Sequence, residues 1–396
     1  MDLYLIIVII MLALAVSGLV VGVANDAVNF LNSALGSKAA PRYVIMTVAS
    51  VGIIVGAITS NGMMEVARSG VFHPEMFTFA EVMLLFLAVM FTNVILLDIF
   101  NTLGMPTSTT VSLVFGLLGA AVGISIFKIA NDALVTLPDG SLATMADMIN
   151  TGNAMAIIGG ILISVVIAFV CGTVVMYITR LIFSFRYQSK LKSYGAVWCG
   201  IALTAISYFA VFKGLKGTQV IPADWMSWME GHIPMMLGGL LVGWSLIMSI
   251  LSMLKVNILR ITVLAGTFSL ALAFAGNDLV NFIGVFVAGV DAYDIVRTTG
   301  DTNMLMGGLN DPVVANLLIL FLSGAVMVVT LWFSKKAQSV SDTEINLARQ
   351  DVGVERFGST SASRAIVRAT INCNKNYEKY TPERIQRFIA SRFVPV

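Results

Sequence analysis

The chain has 396 residues, of which 58% are hydrophobic and 12% charged, and its mean hydropathy is +0.90. Soluble domains carry about 25% charged residues, so this composition excludes an ordinary soluble domain. The net charge of +2 gives no indication of nucleic-acid binding. The three cysteines, Cys171, Cys199 and Cys373, have no C-x-x-C spacing. This argues against a disulfide framework or a zinc site. We expect neither a resident metal nor a cofactor.

Long apolar runs follow one another from the first residues onward. Because a membrane span needs about 20 apolar residues, they predict an all-α polytopic membrane protein. Several runs are interrupted by small or polar residues, so nine runs need not give nine complete crossings. Segments 131–152 and 214–234 are polar enough to be loops or interfacial helices. The apolar runs occupy approximately residues 3–35, 43–61, 79–103, 107–129, 154–183, 195–212, 235–254, 258–290 and 313–333.

One polar heptapeptide occurs twice, each time inside an apolar run: Ala24–Phe30 reads ANDAVNF, and Gly276–Phe282 reads GNDLVNF. Aspartate at membrane depth costs about 2.5–3.5 kcal/mol on insertion scales, so such residues usually serve a function. For one copy, amides that hydrogen-bond neighbouring helices would be an equal explanation. Two copies in corresponding segments instead indicate an internally duplicated transporter, with its site between the repeats. The polar positions are Asn25, Asp26, Asn29, Asn277, Asp278 and Asn281.

Glycines around both copies predict that these helices unwind locally. Backbone freed at membrane depth must line a cavity or be buried in protein. Discontinuous helices of this kind present carbonyl and carboxylate oxygens to cations, and amide N–H groups to anions. We therefore expect broken helices at Asp26 and Asp278, with both carboxylates facing a shared polar cavity.

A further carboxylate, Asp98, lies inside the apolar run 79–103. An intramembrane carboxylate is a candidate cation ligand or proton carrier. The alternative is that Asp98 caps a helix or forms an ion pair near the membrane interface. Asn93, five residues earlier, is read as an amide that packs helices together.

The stretch Gly104–Thr110, with the sequence GMPTSTT, opens the next apolar run. Proline fits the first position of a helix, where its missing N–H costs nothing. The following amides point outward at the positive end of the helix dipole, and four hydroxyls surround them. This combination forms an anion site without Lys or Arg. A plain hydroxyl-capped helix start is the alternative, but four hydroxyls exceed what a cap needs.

Basic residues set the expected orientation. Arg180, Arg186, Lys190 and Lys192 cluster between two apolar runs, so this loop is predicted to be cytoplasmic. Lys335 and Lys336 close the last run and place the polar tail in the cytoplasm as well. We read the tail as one or two short helices in a solvated linker. A basic amphipathic surface for anionic lipid is the alternative. A multi-pass protein of the cell membrane follows, most simply the bacterial inner membrane.

The two aspartates and the hydroxyl-rich helix start together predict coupled transport. An oxyanion such as phosphate would lie near two negative carboxylates, and in a low-dielectric site this repulsion is severe. The charges balance only if cations bind beside the anion or protons neutralise the carboxylates. The sequence therefore predicts symport of an anion with Na⁺ or H⁺.

At these residues the chain resembles the inorganic phosphate transporter (PiT) family of sodium– or proton–phosphate symporters. Members carry a duplicated G-A-N-D-V-A-N-A signature and a P-x-S-T-T element. The Asn, Asp and Asn positions of both heptapeptides match the signature, whereas Ala27-Val28 and Leu279-Val280 replace its Val-Ala pair. Glu65, in the stretch 64–68, is similar to the family's E-T-I-R segment, which is a weaker match. The resemblance covers roughly residues 10–335. The first P-x-S-T-T element is matched by Pro106, Ser108, Thr109 and Thr110.

The resemblance implies inverted-topology repeats, each with a broken helix and a re-entrant hairpin around a central phosphate site. It also implies cation sites beside the phosphate, and a homodimer in the bilayer. The expected substrate-binding residues are Asn25, Asp26, Ser108, Thr109, Thr110, Asn277 and Asp278. The expected cation-binding residues are Asp26, Asn29, Asp278, Asn281, Glu65 and, from its position alone, Asp98.

The chain departs from the family pattern because no second P-x-S-T-T element follows Asp278. The second repeat is therefore expected to be incomplete, and the chain to be part of a longer transporter. The predicted organisation is a first transmembrane repeat at 1–130, connecting spans and loops at 131–234, a partial second repeat at 235–336, and a polar cytoplasmic tail or linker at 337–396.

Three other functions compete with phosphate symport. The same architecture could move sulfate or another tetrahedral oxyanion, and a truncated chain could be a non-transporting fragment. Two intramembrane aspartates could also form the proton-sharing dyad of an aspartyl protease. The neighbouring amides and the missing G-x-G-D word argue against a protease, and no H-E-x-x-H motif is present. We therefore expect a transporter rather than an enzyme.

Overall fold

The computed structural model describes residues 2–60, 70–137, 140–215, 221–311, 316–348 and 358–394. These residues form helices and connecting loops, with three isolated β-bridges. The helices are α1 (Asp2–Asp26), α2 (Val28–Gly36), α3 (Arg42–Thr59), α4 (Phe79–Thr102), α5 (Thr109–Ala130), α6 (Met145–Met148), α7 (Thr151–Phe183), α8 (Tyr187–Phe209), α9 (Ala223–Gly231), α10 (Ile233–Met253), α11 (Ile258–Asn277), α12 (Leu279–Arg297), α13 (Leu317–Phe333), α14 (Lys335–Leu347), α15 (Ser361–Tyr380) and α16 (Glu383–Arg392).

Within the described residues, eight helical segments are long and apolar enough to cross a membrane. In two of them, a pair of helices forms one segment: α1 with α2 over 35 residues, and α11 with α12 over 40. A ninth is added if α13 and α14, which meet at 68°, count as one bent span. Each predicted apolar run thus corresponds to a helix or helix pair. The prediction of an all-α polytopic membrane protein is confirmed.

The main core forms where α1, α3, α4, α5, α11 and α12 pack together. Helices α3 and α11 pack closely against each other. A Cβ atom at Gly52 would lie 2.6 Å from the Phe268 carbonyl oxygen, and one at Gly56 would overlap the Leu272 carbonyl oxygen. Small residues of this kind let membrane helices meet backbone to backbone. The contact brings the start of the second polar heptapeptide beside the end of α3.

Among the described helices, α7, α8 and α10 are membrane-length helices that lie mostly outside this core. α7 has 33 residues, and only Ala154 and Phe183 are buried. α10 packs against α8 around a separate small cluster that includes Cys199 and Met248. The rest of the α7 surface is apolar and exposed, as expected for a span that faces lipid.

Polar contacts tie α4 and α5 together at the end away from their connecting turn. The buried Lys128 ammonium on α5 donates to Glu81 at 2.8 Å and to the Met76 carbonyl at 3.0 Å. Glu81 also accepts from the Thr78 backbone N–H at 2.7 Å and completes a capping box at the start of α4. This satisfied network fixes the base of the α4–α5 hairpin, and thereby the position of its turn.

The packed body extends past residue 336, where the polar tail was expected to begin. α14 packs against α2 and α1, and it buries Ala337, Val340 and Ser341. Its apolar side is covered because the chain bends sharply after α13 and returns across α2. Of the described tail, α15 exposes every side chain that the structure describes, and α16 contacts α7.

Candidate anion and cation site

Both copies of the polar heptapeptide lie at a one-residue interruption between two helices. In the first, α1 ends at Asp26 and α2 begins at Val28. The backbone ladder still runs through Ala27, whose N–H donates to the Val23 carbonyl at 3.0 Å. In the second, Asp278 separates α11 from α12, and its N–H donates to the Phe274 carbonyl at 2.7 Å. The helices are interrupted where predicted, but the unwinding is limited to one residue.

The two interruptions lie close together because α1 packs against α12. A Cβ atom at Gly22 would overlap the ring of Phe282, the last residue of the second heptapeptide. Gly22 is one turn before Asp26, so the Phe282 ring fills the space that its missing side chain leaves. The glycine is thus required for the approach of the two copies, independently of any unwinding.

Asn25 fastens the first interruption to the turn between α4 and α5. Its side-chain N–H₂ group donates to the Asn101 side-chain oxygen at 2.8 Å and to the Met105 carbonyl at 3.1 Å. Its oxygen accepts from the Thr107 backbone N–H at 2.7 Å. An asparagine amide has two donor hydrogens and two acceptor lone pairs. Three of these four are used inside the protein, so Asn25 mainly holds the turn in place.

Asn101 completes this junction and was not singled out in the sequence. It is 1% exposed, accepts from Asn25, and donates to the Val21 carbonyl at 2.6 Å. A single amide in an apolar run carries no distinguishing signal, because the same pattern describes any asparagine that packs helices. Only the fold, which brings residues about 80 positions apart together, reveals its role.

The start of α5 faces the first carboxylate. The Thr109 hydroxyl donates to Asp26 at 2.9 Å, and both residues are 4% exposed. Ser108 is the N-cap and accepts from the Val111 backbone N–H at 3.2 Å. The prediction that Pro106 takes the first helical position is therefore wrong: the Ser108 cap starts the helix at Thr109, and Pro106 lies in the preceding turn.

The side-chain amide of Asn281 connects the hydroxyl of Thr110, the second residue of α5, to the carboxylate of Asp278. Asn281 donates from its side-chain nitrogen to the Thr110 hydroxyl at 2.9 Å and to Asp278 at 3.1 Å. Thr110 accepts this bond and can still donate its own proton. Asp26, Thr109, Thr110, Asn281 and Asp278 thus form one polar array across three helices. We call these five residues the carboxylate–hydroxyl array.

The other predicted site residues have different surroundings. Ser108 and Asn29 are exposed, and the Asn29 side chain has no hydrogen-bond partner among the described residues. Asp98 pairs with Lys336 at 2.6 Å, both side chains being about half exposed. The structure therefore places Asp98 in an ion pair beside α14, outside the array. Glu65 and the side chain of Asn277 lie outside the described part of the chain.

A small cavity adjoins the array on the side of Asn281. It has a volume of about 10 Å³, near the lower limit for one water molecule, and Gly18, Asn93 and Asn281 contribute to its lining. The Asn93 side-chain oxygen is buried and has no hydrogen-bond partner among the described residues. Asn93, read from the sequence as a packing amide, therefore places an acceptor beside the second copy of the heptapeptide.

The chain resembles known proteins over most of its length. The sequence model of the Phosphate transporter family matches residues 22–337. The chain belongs to this family. The match includes both heptapeptides and the start of α5, and it ends before α15 and α16.

Two individual relatives fit this assignment. The chain is 25% identical over 200 residues to a Thermococcus kodakarensis protein named "Putative phosphate permease TK2061", a region covering 50% of this chain and 45% of that protein. It therefore spans about half the length of that curated relative. Its fold is similar to that of a solved structure titled "The sodium-dependent phosphate transporter", with a TM-score of 0.52 and 18% identity. That likeness covers 85% of this chain and 78% of the other.

Proposed function

We propose that this protein carries inorganic phosphate across the cell membrane together with Na⁺ or H⁺. The observation that carries the proposal is the carboxylate–hydroxyl array. It connects two carboxylates at helix interruptions, Asp26 and Asp278, to the first two hydroxyls of α5. Membership of the Phosphate transporter family supports phosphate as the substrate.

The anion would bind at the start of α5. The first backbone N–H groups of a helix have no intrahelical acceptor, and they carry the positive end of its dipole. Thr110 can donate its hydroxyl proton there, and Ser108 is exposed beside it. Such helix starts bind oxyanions without a basic side chain.

The cation would bind at the carboxylates. Two like unit charges 4 Å apart repel by about 4 kcal/mol at an effective dielectric constant of 20, so an anion beside Asp26 or Asp278 is strongly disfavoured alone. A cation between carboxylate and anion turns this repulsion into attraction. Carboxylate, hydroxyl and amide oxygens, which Asp26, Thr109 and Asn281 supply, are the hard ligands that such a cation needs.

Thr109 gives this coupling a direct mechanism. Its hydroxyl has one proton, which it donates to Asp26 in this structure. While that bond persists, Thr109 presents only lone pairs to an arriving anion. When a cation occupies Asp26, or a proton neutralises it, the hydroxyl is released and can turn toward the anion. Cation binding would thus create an anion donor as well as reduce repulsion.

The same geometry favours phosphate over sulfate. Near neutral pH inorganic phosphate still carries at least one proton, because its last ionisation occurs far above this pH range, whereas sulfate carries none. A carboxylate is an acceptor for that proton, and the site offers two. Sulfate would meet only repulsion from the same groups. Transport of sulfate or another tetrahedral oxyanion by this architecture is the second candidate.

The basic residues support a proposed orientation in the cell membrane, most simply the bacterial inner membrane. Successive spans place their basic ends on one side. The α7–α8 turn has Arg186, the α10–α11 turn has Lys255, and the α13–α14 bend has Lys335. Under the positive-inside rule, this side is cytoplasmic. The homodimer implied by the family resemblance is a further proposal, which cross-linking in native membranes would test.

Uptake into proteoliposomes tests the proposal. The purified full-length protein is reconstituted, and radiolabelled phosphate uptake is measured with an inward Na⁺ gradient, with an inward H⁺ gradient, and with neither. We expect one gradient to drive accumulation above equilibrium, and excess unlabelled sulfate to compete weakly. Uptake that ignores both gradients would exclude symport. Equal competition by sulfate and phosphate would favour the second candidate.

A binding measurement separates a non-transporting protein from a failed reconstitution. Phosphate binding to the protein in detergent is measured by calorimetry, with and without Na⁺. We expect binding to require the cation, because the carboxylates repel the anion alone. Cation-dependent binding without uptake would indicate a non-transporting fragment that retains the site.

A further inference from the structure

The tail helix α15 has two distinct faces. Its basic residues are spaced by four, seven and four positions, which at 3.6 residues per turn confines them to an arc of about 60°. They are Arg364, Arg368, Lys375 and Lys379. The opposite side is formed by Ala362, Ile366, Cys373, Tyr377 and Tyr380. Val367 lies between the two faces, and Ile371 lies at the edge of the basic face, about 20° from Arg364 around the helix.

The apolar face of α15 has no partner in the described part of the protein. Every side chain of α15 that the structure describes is exposed, including Ile366 at 62% and Tyr380 at 80%. α16 repeats the pattern in a shorter form, with Ile385 and Phe388 exposed on one side. Residues 358–394 contain seven basic and two acidic residues, a net charge of +5.

Comparison with α14 shows that this exposure is not general among the amphipathic helices of the chain. α14 also has an apolar side, but its Val340 is fully buried where the helix packs against α2. A solvated linker has no use for an apolar face, and a helix docked on the protein would bury it. The apolar face of α15 is uncovered among the described residues, so it is available to a surface other than these.

The position of α16 indicates which surface this is. The Phe393 ring, just after α16, stacks on Tyr177 of α7 with their centres 5.4 Å apart. Tyr177 lies near the end of α7 that carries Arg180, where the apolar lipid-facing surface of the helix gives way to basic residues. Aromatic residues favour this level of a membrane, where the headgroups begin. The tail is therefore held where α7 leaves the bilayer.

We propose that α15 and α16 bind the anionic lipid surface of the cytoplasmic leaflet. The apolar side of α15 would enter the boundary between headgroups and acyl chains, and its basic side would contact lipid phosphates. Helices with this division of residues lie in the membrane interface. The cytoplasmic leaflet attracts basic segments of this kind through its negative surface potential. The proposal does not depend on which ion or anion the protein transports.

Cys373 provides a probe on the apolar face. Cys171 is replaced by alanine, Cys199 is buried and stays, and Cys373 is labelled with an environment-sensitive fluorophore. The full-length protein is placed in nanodiscs of phosphatidylglycerol or of phosphatidylcholine. With phosphatidylglycerol, we expect a blue-shifted emission and at least a threefold lower quenching constant for acrylamide, a neutral quencher. With phosphatidylcholine, the probe should stay accessible to the quencher.

A neighbouring position supplies the matched control. In the Asn372→Cys, Cys373→Ser variant, the probe moves by one residue and about 100° around the helix, away from the apolar face. This probe should remain accessible in both lipids. The Cys373→Ser variant without the new cysteine measures residual labelling of Cys199.

Removal of the basic face should release the helix. In the quadruple variant R364Q, R368Q, K375Q and K379Q, the Cys373 probe should lose its blue shift on phosphatidylglycerol while the four glutamines keep the helix. Equally strong quenching of Cys373 in both lipids would overturn the proposal in favour of a solvated linker. Equal protection of positions 372 and 373 in both lipids would overturn it in favour of docking against protein.

Discussion

The two copies of the polar heptapeptide share five residues but use them differently. In the first copy, the side chain of the leading amide, Asn25, hydrogen-bonds to the end of α4 and to the α4–α5 turn, and the trailing amide, Asn29, is exposed. In the second copy, the trailing amide, Asn281, holds both Asp278 and Thr110. The difference arises because a single hairpin contacts both copies: its turn and Thr109 meet the first copy, and Thr110 meets the second. Identical residues in the two copies therefore make different contacts, because different parts of the α4–α5 hairpin pack against them.

Replacement of either carboxylate should have the largest effect, and it tests whether the two copies contribute equally. Asp26→Asn and Asp278→Asn each remove one negative charge and keep the side-chain shape. Because a nearby charge pair is worth about 4 kcal/mol, cation-driven phosphate uptake should fall by roughly a hundredfold or more in each variant. Gradient-driven uptake in proteoliposomes measures this.

The two aspartate variants show whether the two copies bind the cation equally. If Asp278→Asn leaves uptake unaltered while Asp26→Asn abolishes it, then only the first copy binds the cation. Asp98→Asn makes the same chemical change outside the carboxylate–hydroxyl array and serves as the control. Surface expression and elution as a folded protein in detergent establish that each variant is intact.

The leading and trailing amides of the first copy should differ sharply in their effect on stability. Asn25→Ala removes three hydrogen bonds and leaves buried groups of Asn101 and Thr107 unpaired, which should cost about 2–4 kcal/mol. Asn29→Ala changes an exposed side chain and should change stability by less than about 0.5 kcal/mol. Thermal unfolding in one detergent compares the two variants. Equal stability of both would mean that Asn25 does not anchor the turn.

The sequence predicted some residues of this region and not others. The heptapeptides predicted Asp26, Asp278 and Asn281 as polar residues of one region, because duplication of a costly polar word is visible along the chain. The junction of Asn25 with Asn101 was not predictable, since it joins positions 76 residues apart in sequence. Nothing in an apolar run marks which amide will meet another helix.

Other differences between expectation and structure have local physical causes. Pro106 was placed at a helix start because proline favours that position, but the Ser108 side chain caps the helix two residues later. The tail was expected from residue 337 because charged residues begin there, yet α14 has enough apolar residues on one side to pack on α2. Composition indicates where the chain becomes polar, whereas the spacing of apolar residues determines whether a polar helix still packs against the protein.

Removal of hydroxyls at the start of α5 should have a smaller effect than removal of the carboxylates. The double variant Ser108→Ala, Thr109→Val deletes two donors but leaves the backbone amides that open the helix. A hydrogen bond to a charged group contributes about 1.5–3 kcal/mol, so the loss of even one such bond should raise the phosphate KM at least roughly tenfold. Initial uptake rates at varied phosphate measure KM, and Thr102→Val, an exposed hydroxyl at the end of α4, is the control.

Single variants of Thr109 and Thr110 test the two copies separately. Thr109→Val breaks the contact with Asp26 and should weaken the dependence of uptake on the cation. Thr110→Val removes the hydroxyl that Asn281 orients and should mainly raise the phosphate KM. Identical kinetic changes in the two variants would contradict the division of duties between the first and second copies.

The smallest effect is expected at Asp98, the carboxylate that belongs to neither copy. Its ion pair with Lys336 is about half exposed, and exposed ion pairs are worth about 0–1 kcal/mol. Asp98→Asn and Lys336→Gln should therefore change stability alike and slightly, and both should keep full cation-driven uptake. If Asp98 only forms the ion pair, Lys336→Gln should have the same effect as Asp98→Asn. Loss of cation dependence in Asp98→Asn alone would therefore show that Asp98 binds the cation. Equal, small effects would instead leave cation binding to the two carboxylates that α5 connects.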